Sequence, residues 1–299
     1  MVTSFQQLVN EVQSGVKHTI AVAAAQDADV LEALQKAAKE NLATVILLGD
    51  QQQIEKIAKS QKINVTQHEI LHCQDEEEAV RTAVQIIRQG KAEILMKGIC
   101  STAILMKAVL DKETGLRESG LLSHLAVFEI ASYPKLIFMS DAALNIAPTL
   151  AEKISITQNA IAAAHRLGLQ KPKVALLAAV EKINPEKMSA TVDAALIAKM
   201  GERGQIKGAI IDGPLALDNA FSAKSCAVKG IVSEVGGDAD IAIVPDIEAG
   251  NIFYKLMSYL AGAKTAGVIL GAKVPIVLTS RADSEETKFL SIATAARIS

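Results

Sequence analysis

The stretch SEVGGDADIAIVPDIEAGNIFYK, Ser233 to Lys255, combines an apolar run, a polar turn and the start of a helical pattern. Its centre, Ile241 to Val244, is short, apolar and rich in β-branched residues, which is typical of a strand buried on both faces of a parallel sheet. Pro245 predicts the end of that strand, because proline has no N–H to donate to a sheet. The stretch therefore predicts an α/β fold.

Polar residues follow this strand at the place where α/β proteins bind ligands. Asp246, Glu248, Gly250 and Asn251 follow closely, and ligands of open α/β sheets lie at the carboxyl ends of strands. We expect Gly250 to let backbone approach a ligand closely and Asn251 to cap a helix that begins near Ile252. An ordinary strand–turn–helix junction explains the same pattern equally well.

Length and composition are those of a globular protein. The chain has 299 residues, of which 50% are hydrophobic and 3% aromatic, so its core must be aliphatic. Its formal net charge of −2 gives no electrostatic case for binding nucleic acid. Cys73, Cys100 and Cys226 are few and scattered, which favours neither a disulfide framework nor a zinc site.

The sequence also lacks the patterns of membrane insertion and export. No apolar run reaches the roughly 18 residues that a spanning helix needs. Met1 to Asn10 has no basic segment followed by an apolar one, as a signal peptide would. We therefore expect a cytoplasmic protein that does not associate with membranes.

Strands and helices alternate along the chain, which favours a parallel sheet with helices on both faces. Strands are predicted at His18–Ala24, Ala43–Leu48, Glu69–His72, Ile94–Met96, Lys135–Met139, Val174–Ala178, Gly208–Ile211, Ile241–Val244 and Val274–Leu278. Helices are predicted at Phe5–Ser14, Asp27–Lys39, Gln51–Ser60, Asp75–Gln89, 102–110, Ala151–Leu167, Met188–Met200 and Ile252–Ala263.

Five blocks of the sequence, in the same order, resemble the phosphate acetyltransferase and phosphate butyryltransferase family. They are KGICSTAILMKAVL from Lys97, SDAALNIAPTLAEK from Ser140, GPLALDNAFS from Gly213, GGDADIAIVPDIEAGNIFYK from Gly236 and VPIVLTSRADS from Val274. The resemblance covers nearly the whole chain, and the blocks SHLAVFEI and LTSRADS look closer to the butyryl branch.

The resemblance implies a fold of two α/β domains with parallel-type sheets and a cleft between them, similar to isocitrate and isopropylmalate dehydrogenases. It implies a discontinuous first domain, residues 1–143 plus 268–299, and a second domain, residues 144–267. Periodicity alone does not show this return of the chain to its first domain.

The activity that the resemblance implies is transfer of a short acyl group, most closely butyryl, between coenzyme A and inorganic phosphate. Acyl-CoA and phosphate would be substrates, transfer would be direct in a ternary complex, and no bound cofactor or metal is expected. The family also implies a homodimer or larger even assembly, with a pathway link to an acyl (butyrate) kinase.

Ser280 and Arg281 follow the predicted strand 274–278 and align with a serine–arginine pair of the family. In the family the serine is assigned to hydrogen-bonding the transition state and the arginine to binding substrate. A guanidinium group can donate two parallel hydrogen bonds to a phosphate. Relatives of the acetyl branch have, at the position of Thr287, an aspartate that is proposed to act as the general base for the thiol. Because this chain has threonine there, Asp283 is our first candidate for the base and Glu286 our second. An ion pair between Arg281 and Asp283 is an equally simple explanation.

Two further segments supply candidate substrate-binding groups. At the junction between the predicted strand 94–96 and the predicted helix 102–110 these are Lys97, Ser101, Thr102 and Lys107. A helix that starts with hydroxyl side chains can bind an anion, and Gly98 would let the anion approach the backbone. In the middle of the chain they are Ser123, His124, Asn145 and Asn251. Asn145 could donate to a phosphate or carbonyl oxygen, whereas a lone histidine is more often structural.

Three alternatives remain at the level of sequence. Cys100, beside Ser101, would allow an acyl-enzyme route, but no histidine lies near it in sequence. A metal- and nicotinamide-dependent decarboxylating dehydrogenase could use Asp238, Asp240 and Asp246 as ligands, but there is no convincing dinucleotide motif. A non-catalytic protein that senses acyl-CoA is the third.

Overall fold

The computed structural model describes residues 2–118, 120–280 and 283–299. The chain divides into two compact units. The terminal unit comprises Phe5–Gly120 and Thr265–Ser299, and the central unit comprises Leu121–Lys264 together with the residues up to Ser4. The domain division that the family resemblance implies, with boundaries at 143 and 268, stays a prediction.

The strands of the terminal unit follow a βα alternation. They are β1 (His18–Ala23), β2 (Ala43–Gly49), β3 (Glu69–His72), β4 (Ile94–Lys97), β10 (Lys264–Leu270) and β11 (Ile276–Val277), hydrogen-bonded in the order β3-β2-β1-β4-β11-β10. Neighbouring pairs are parallel except β10 and β11, which are antiparallel. The helices are α1 (Phe5–Gln13), α2 (Ala28–Lys39), α3 (Gln51–Gln61), α4 (Glu76–Arg88), α5 (Thr102–Leu110) and α11 (Glu285–Ile298).

The strands of the central unit are β5 (Ser123–Glu129), β6 (Ile137–Ser140), β7 (Lys173–Leu177), β8 (Ile210–Leu215) and β9 (Ile241–Ile243), in the order β5-β6-β9-β7-β8. All described pairs are parallel except β5 with β6. The helices are α6 (Leu150–Arg166), α7 (Ser189–Glu202), α8 (Leu217–Phe221), α9 (Ala223–Lys229) and α10 (Ile247–Tyr259). The core of this unit includes Phe128, stacked on Phe253 of α10.

The expected α/β class with a mostly parallel sheet is confirmed, and the expected strands and helices are present with shifted ends. Two strands escaped the sequence analysis, β5 and β10, and each runs antiparallel to a neighbour. The pairing is therefore mostly, but not entirely, parallel. Because an antiparallel strand needs no crossover helix, the alternation of strands and helices gives no sign of it.

The start of α10 also differs from the expectation. Asp246, not Asn251, is its N-cap, and the Asp246 carboxylate accepts from Ala249 N at 2.9 Å. Asn251 lies inside the helix and donates through Nδ2 to Ala142 O at 3.3 Å. Aspartate and asparagine are about equally good N-cap residues, and the helix begins after the first of them that follows the strand, Asp246.

Candidate active site

The segment after β4 is fixed tightly to the end of β1. Gly98 N and Ile99 N donate to Ala23 O and Ala24 O, both at 2.8 Å. A Cβ on Gly98 would lie 2.0 Å from Ala24 O, so only glycine fits here. The close approach expected of an anion at Gly98 is made instead by a backbone carbonyl of the protein itself.

Lys97, the last residue of β4, is buried with 6% of its surface exposed. Its Nζ donates to Gly98 O at 3.2 Å, which holds the ammonium at the carboxyl end of the strand. A buried lysine is uncommon, because removing its charge from water is costly unless partners compensate. Lys97 therefore places a positive charge at the sheet edge where an α/β protein binds ligands.

Ser101 is the N-cap of α5, and its Oγ accepts from Ala103 N at 3.2 Å. Ser101 N donates to Glu76 Oε2 at 2.9 Å. This backbone N–H, which the expected anion site would have used, is therefore already hydrogen-bonded to the carboxylate of Glu76. Thr102 is exposed in the first turn of α5. Lys107 is exposed in its last turn, about 9 Å along the axis from Ser101.

The loop after β11 lies at the same sheet edge as Lys97, because β11 and β4 are parallel neighbours paired through Val277 and Met96. Ser280 is exposed, and its backbone N–H donates to Asp283 Oδ2 at 2.7 Å. Asp283 N donates in turn to Ser280 O at 3.1 Å, which closes the turn. Arg281 lies outside the described residues.

Lys288 anchors this loop from α11, a role that the sequence analysis missed. It has 3% of its surface exposed, its Nζ donates to Asp283 O, and it pairs with Asp29 Oδ2 at 3.5 Å. Lys288 lies four residues after the helix cap Ser284, a spacing that does not distinguish it from other helical lysines in the sequence. Lys288 thereby connects the loop that carries Ser280 to the start of α2.

The two remaining candidates in this region lie at the start of α11. Glu286 is exposed in the first turn. Thr287, at the position of the base in the acetyl branch, shares hydroxyl hydrogen bonds with Ser284 at 3.1 Å and Thr265 at 3.2 Å. Thr287 is thus used in packing α11 against the start of β10.

Cys100 is fully buried, with Sγ 3.7 Å from Ala23 O. Burial, the largest effect, raises the pKa of the Cys100 thiol above its usual value of 9.0. Because the nucleophile is the thiolate, a buried thiol with a raised pKa is unsuited to acyl transfer.

In the central unit, Asp141 organises the start of β5 and the loop after β6. It is 3% exposed, and its Oδ2 accepts from His124 N at 3.1 Å and from Asn145 Nδ2 at 2.6 Å. Its Oδ1 accepts from Ala143 N at 2.8 Å and Leu144 N at 3.0 Å. Because β5 is antiparallel to β6, its first residues lie beside the last residues of β6, and Asp141 joins them.

The structure brings Ser123, His124, Asn145 and Asn251 together around this loop. Ser123 is fully buried, and its Oγ accepts from Asn159 Nδ2 at 3.0 Å. The His124 ring lies edge-on to Tyr254 of α10, with 6.1 Å between centroids. Asn251 holds Ala142 O from the same helix.

Gly250 is the reason that α10 can pack so closely on the loop. A Cβ at Gly250 would lie 2.3 Å from Asp141 O and 3.0 Å from Val244 Cγ2. The expected close approach at Gly250 is therefore real, but it is made by the protein's own backbone. Asp141, like Lys288, is a residue that sequence reasoning missed, although it follows Ser140 in a block that carried the resemblance.

The carboxylates considered for a metal do not come together. Asp238 and Asp240 precede β9, whereas Asp246 follows it, so they lie at opposite ends of the strand. Lys135 Nζ pairs with Asp238 at 2.8 Å and with Asp240 at 2.6 Å. Among the described residues, no group of three or more His, Cys, Asp or Glu side chains could hold a metal ion.

Fold and site together define an α/β protein that carries polar side chains at the carboxyl ends of parallel strands in each of its two units, where proteins of this class bind ligands. The chain belongs to the phosphate acetyl/butaryl transferase family, whose model matches residues 4–82 and 74–296. In the part of the chain that the structure describes, no helix is long and apolar enough to cross a membrane.

Relatives from both branches of the family match the chain over nearly its full length. A phosphate butyryltransferase of Clostridium acetobutylicum is 46% identical over 100% of this chain and 99% of the relative. A phosphate acetyltransferase of Thermotoga maritima is 45% identical over 98% and 99%. The crystal structure of a branched-chain phosphotransacylase from Enterococcus faecalis V583 superimposes with a TM-score of 0.83 at 37% identity, covering 94% of this chain and 98% of that one.

Proposed function

We propose that this protein is an enzyme that transfers a short acyl group, butyryl by preference, between coenzyme A and inorganic phosphate. The observation that carries the proposal is the full-length match to phosphate acyltransferases of both branches. The described geometry fits it, because Ser280 and the buried Lys97 lie at the same edge of parallel strands. The dehydrogenase alternative is not favoured by these relatives.

Each candidate residue has a role in the proposed reaction. Ser280 donates a hydrogen bond to the oxyanion or the sulfur, and Asp283, or failing it Glu286, takes the proton of the coenzyme A thiol, whose pKa is about 8.5. The proposed substrate-binding residues are Arg281, Lys97, Ser101, Thr102, Lys107, Ser123, His124, Asn145 and Asn251. Since Glu76 already accepts from Ser101 N, the serine hydroxyl rather than its N–H is the group that we assign to substrate.

The acyl group passes directly from one substrate to the other in this proposal. The thiolate of coenzyme A attacks the acyl phosphate carbonyl, the C–S bond forms, the C–O bond to phosphate breaks, and phosphate leaves. The reverse reaction follows the same path. The buried, protonated Cys100 supports this route over an acyl-cysteine intermediate.

The test is release of coenzyme A from acetyl-, butyryl- and hexanoyl-CoA, measured as free thiol with and without phosphate or arsenate. We expect phosphate-dependent release that is fastest with butyryl-CoA. If acetyl-CoA or hexanoyl-CoA gives the fastest phosphate-dependent release, the preferred acyl group is that one and not butyryl. Binding of acyl-CoA without phosphate-dependent release would contradict an enzyme and favour an acyl-CoA sensor.

We also propose that the protein assembles as a homodimer through the outer face of α10. Its large exposed apolar residues, together with the C-cap Leu260, are spaced as one stripe: Ile252, Leu256, Tyr259 and Leu260. Phe253 and Met257 face the core. The helix carries one acidic residue, Glu248, and one basic residue, Lys255, so its net charge is zero. Two copies of the helix can therefore pack together without net electrostatic repulsion. One helix face is smaller than the roughly 800 Å² per partner of a stable interface, so surrounding surface must contribute.

Two helices of the central unit provide a matched test of this dimer. Leu256 on α10 and Leu196 on α7 are 45% and 46% exposed. In sedimentation experiments we expect Leu256→Glu to yield monomers and Leu196→Glu to behave as wild type. A wild-type monomer, or a dimer that survives Leu256→Glu, would contradict this surface. Larger even assemblies, cytoplasmic location, the interdomain cleft and the link to an acyl kinase stay predictions.

A further inference from the structure

The side-chain amide of Asn145 has only one orientation that its surroundings accept. Its Nδ2 lies 2.6 Å from Asp141 Oδ2 and 2.9 Å from Leu122 O. A carbonyl oxygen only accepts hydrogen bonds, and so does an ionised carboxylate, so the nitrogen and not the oxygen of the amide must face them. The three other groups around the Asp141 oxygens are backbone N–H donors, so both of its oxygens act as acceptors.

Both hydrogens of the Asn145 amide are consumed by these two contacts. Its Oδ1 has no hydrogen-bond partner among the described residues, and the residue is only half-buried. Asn145 therefore presents an acceptor, not the donor that the sequence analysis expected. Inorganic phosphate near neutral pH offers mostly acceptor oxygens and only one or two P–OH donors, so this acceptor is better matched to a ligand that brings N–H or S–H donors.

We propose that Asn145 Oδ1 accepts a hydrogen bond from coenzyme A, and that Asp141 is the positioning residue that fixes this orientation. This inference rests on the proposed function, which makes coenzyme A a substrate. The donors that coenzyme A brings to a reacting site are the two amide N–H groups of its pantetheine arm and its thiol S–H. The thiol is lost in acyl-CoA, whereas the amides are present in both forms.

Kinetics in both directions test the proposal. Asn145→Ala raises the KM for coenzyme A by roughly 5- to 10-fold, the effect of one lost hydrogen bond, and leaves the KM for phosphate and acyl phosphate within about twofold. If a pantetheine amide is the donor, the KM for acyl-CoA rises equally. If the thiol is the donor, only free coenzyme A is affected. A rise confined to phosphate, or unchanged affinity for both thiol and thioester, overturns the proposal.

Asp141→Asn tests the positioning role. In either orientation the new NH₂ group meets N–H donors, either those of His124 and Asn145 or the two backbone N–H groups on the other side. The loop that holds Asn145 must therefore rearrange. We expect the same selective rise in KM for coenzyme A, with the double variant no worse than either single variant. Additive effects would mean that Asp141 does not act through Asn145. Asn184→Ala, which removes an amide from an exposed loop of the same unit, is the matched control.

Calorimetric titration with coenzyme A alone measures binding without turnover, so it tests the role of Asn145 independently of the proposed function. The Kd of wild type and Asn145→Ala can be compared even if no turnover occurs, so absent turnover defeats the function and equal Kd values defeat the inference. A coenzyme A analogue with N-methylated pantetheine amides removes the donors from the ligand instead. With unaltered protein, weaker binding of this analogue supports an amide donor, and equal binding of the analogue excludes one.

Discussion

At the scale of single residues, Cys100 separates the two chemical routes. Its thiol is fully buried and burial raises its pKa, so we expect Cys100→Ala to keep kcat within about threefold of wild type. The measurement is phosphate-dependent thiol release, with melting temperature as a control for packing. A loss of about 1,000-fold together with an acylated Cys100 in wild type would establish the covalent route.

Asp283 is bonded to the Ser280 N–H, yet one substitution can remove its charge without removing this bond. In Asp283→Asn the side-chain oxygen can still accept from Ser280 N, so the turn should persist. If Asp283 is the base, kcat for thiol attack on acyl phosphate falls by roughly 100-fold, as is typical for loss of a general base. The defect should shrink as pH rises toward the thiol pKa of about 8.5.

Glu286→Gln is the matched control for that experiment, since Glu286 is exposed in the first turn of α11. We expect it to be close to wild type at every pH. A defect of Asp283→Asn that stays constant up to about pH 9 would limit Asp283 to closing the turn. A pH-dependent defect in Glu286→Gln would transfer the role of base to Glu286.

At the scale of elements, α10 and the loop after β6 depend on Gly250. An exposed helical Gly→Ala substitution usually stabilises by about 1 kcal/mol, but a Cβ here would lie 2.3 Å from Asp141 O. We therefore expect Gly250→Ala to lower the melting temperature and to raise the KM for coenzyme A by displacing Asp141. Gly120→Ala, where a Cβ meets nothing within 4 Å, is the control. An unchanged or higher melting temperature would show that the helix shifts without cost.

The elements also show where sequence reasoning succeeded and failed. The alternation of apolar strands and amphipathic helices, such as β1 and α2, follows from local periodicity and was predicted. The antiparallel β5 and β10 were not, because strand direction depends on which distant strands pair. The positions of Lys97 and Ser280 at strand ends were predictable from the sequence, and their roles stay predictions. The contact of Asp141 with His124 N was not predictable, because it joins residues 17 apart in sequence.

At the scale of the whole molecule, stability at low pH depends on an ion cluster at the amino ends of β6, β7 and β9. Asp238 pairs with Lys135 at 2.8 Å and with Lys173 at 2.6 Å. The hydrogen bond from Lys135, followed by that from Lys173, lowers the pKa of Asp238 below its usual value of 3.8. A carboxylate with a lowered folded pKa stabilises the protein above its unfolded pKa, and this contribution is lost as pH falls through the folded pKa.

We therefore expect Asp238→Asn to lower the melting temperature at pH 7, and the difference from wild type to shrink as pH falls below 3.8 through the lowered pKa of Asp238. The effect at pH 7 should be small, because Asp238 is half-exposed and screened by solvent. Scanning calorimetry of both proteins across this range measures it. A gap between the two melting temperatures that does not shrink as pH falls through this lowered pKa would mean that the charge of Asp238 is irrelevant.

The terminal unit is assembled from both ends of the chain, and this fixes an order of events during synthesis. The central unit is continuous in sequence apart from the first few residues, so a ribosome has delivered most of it by Lys264. The terminal unit still lacks β11, the neighbour of β4, and the largely buried α11. Because domains fold as units while the chain emerges, residues 5–120 must wait for residues 265–299, and they expose apolar surface until that segment has been made.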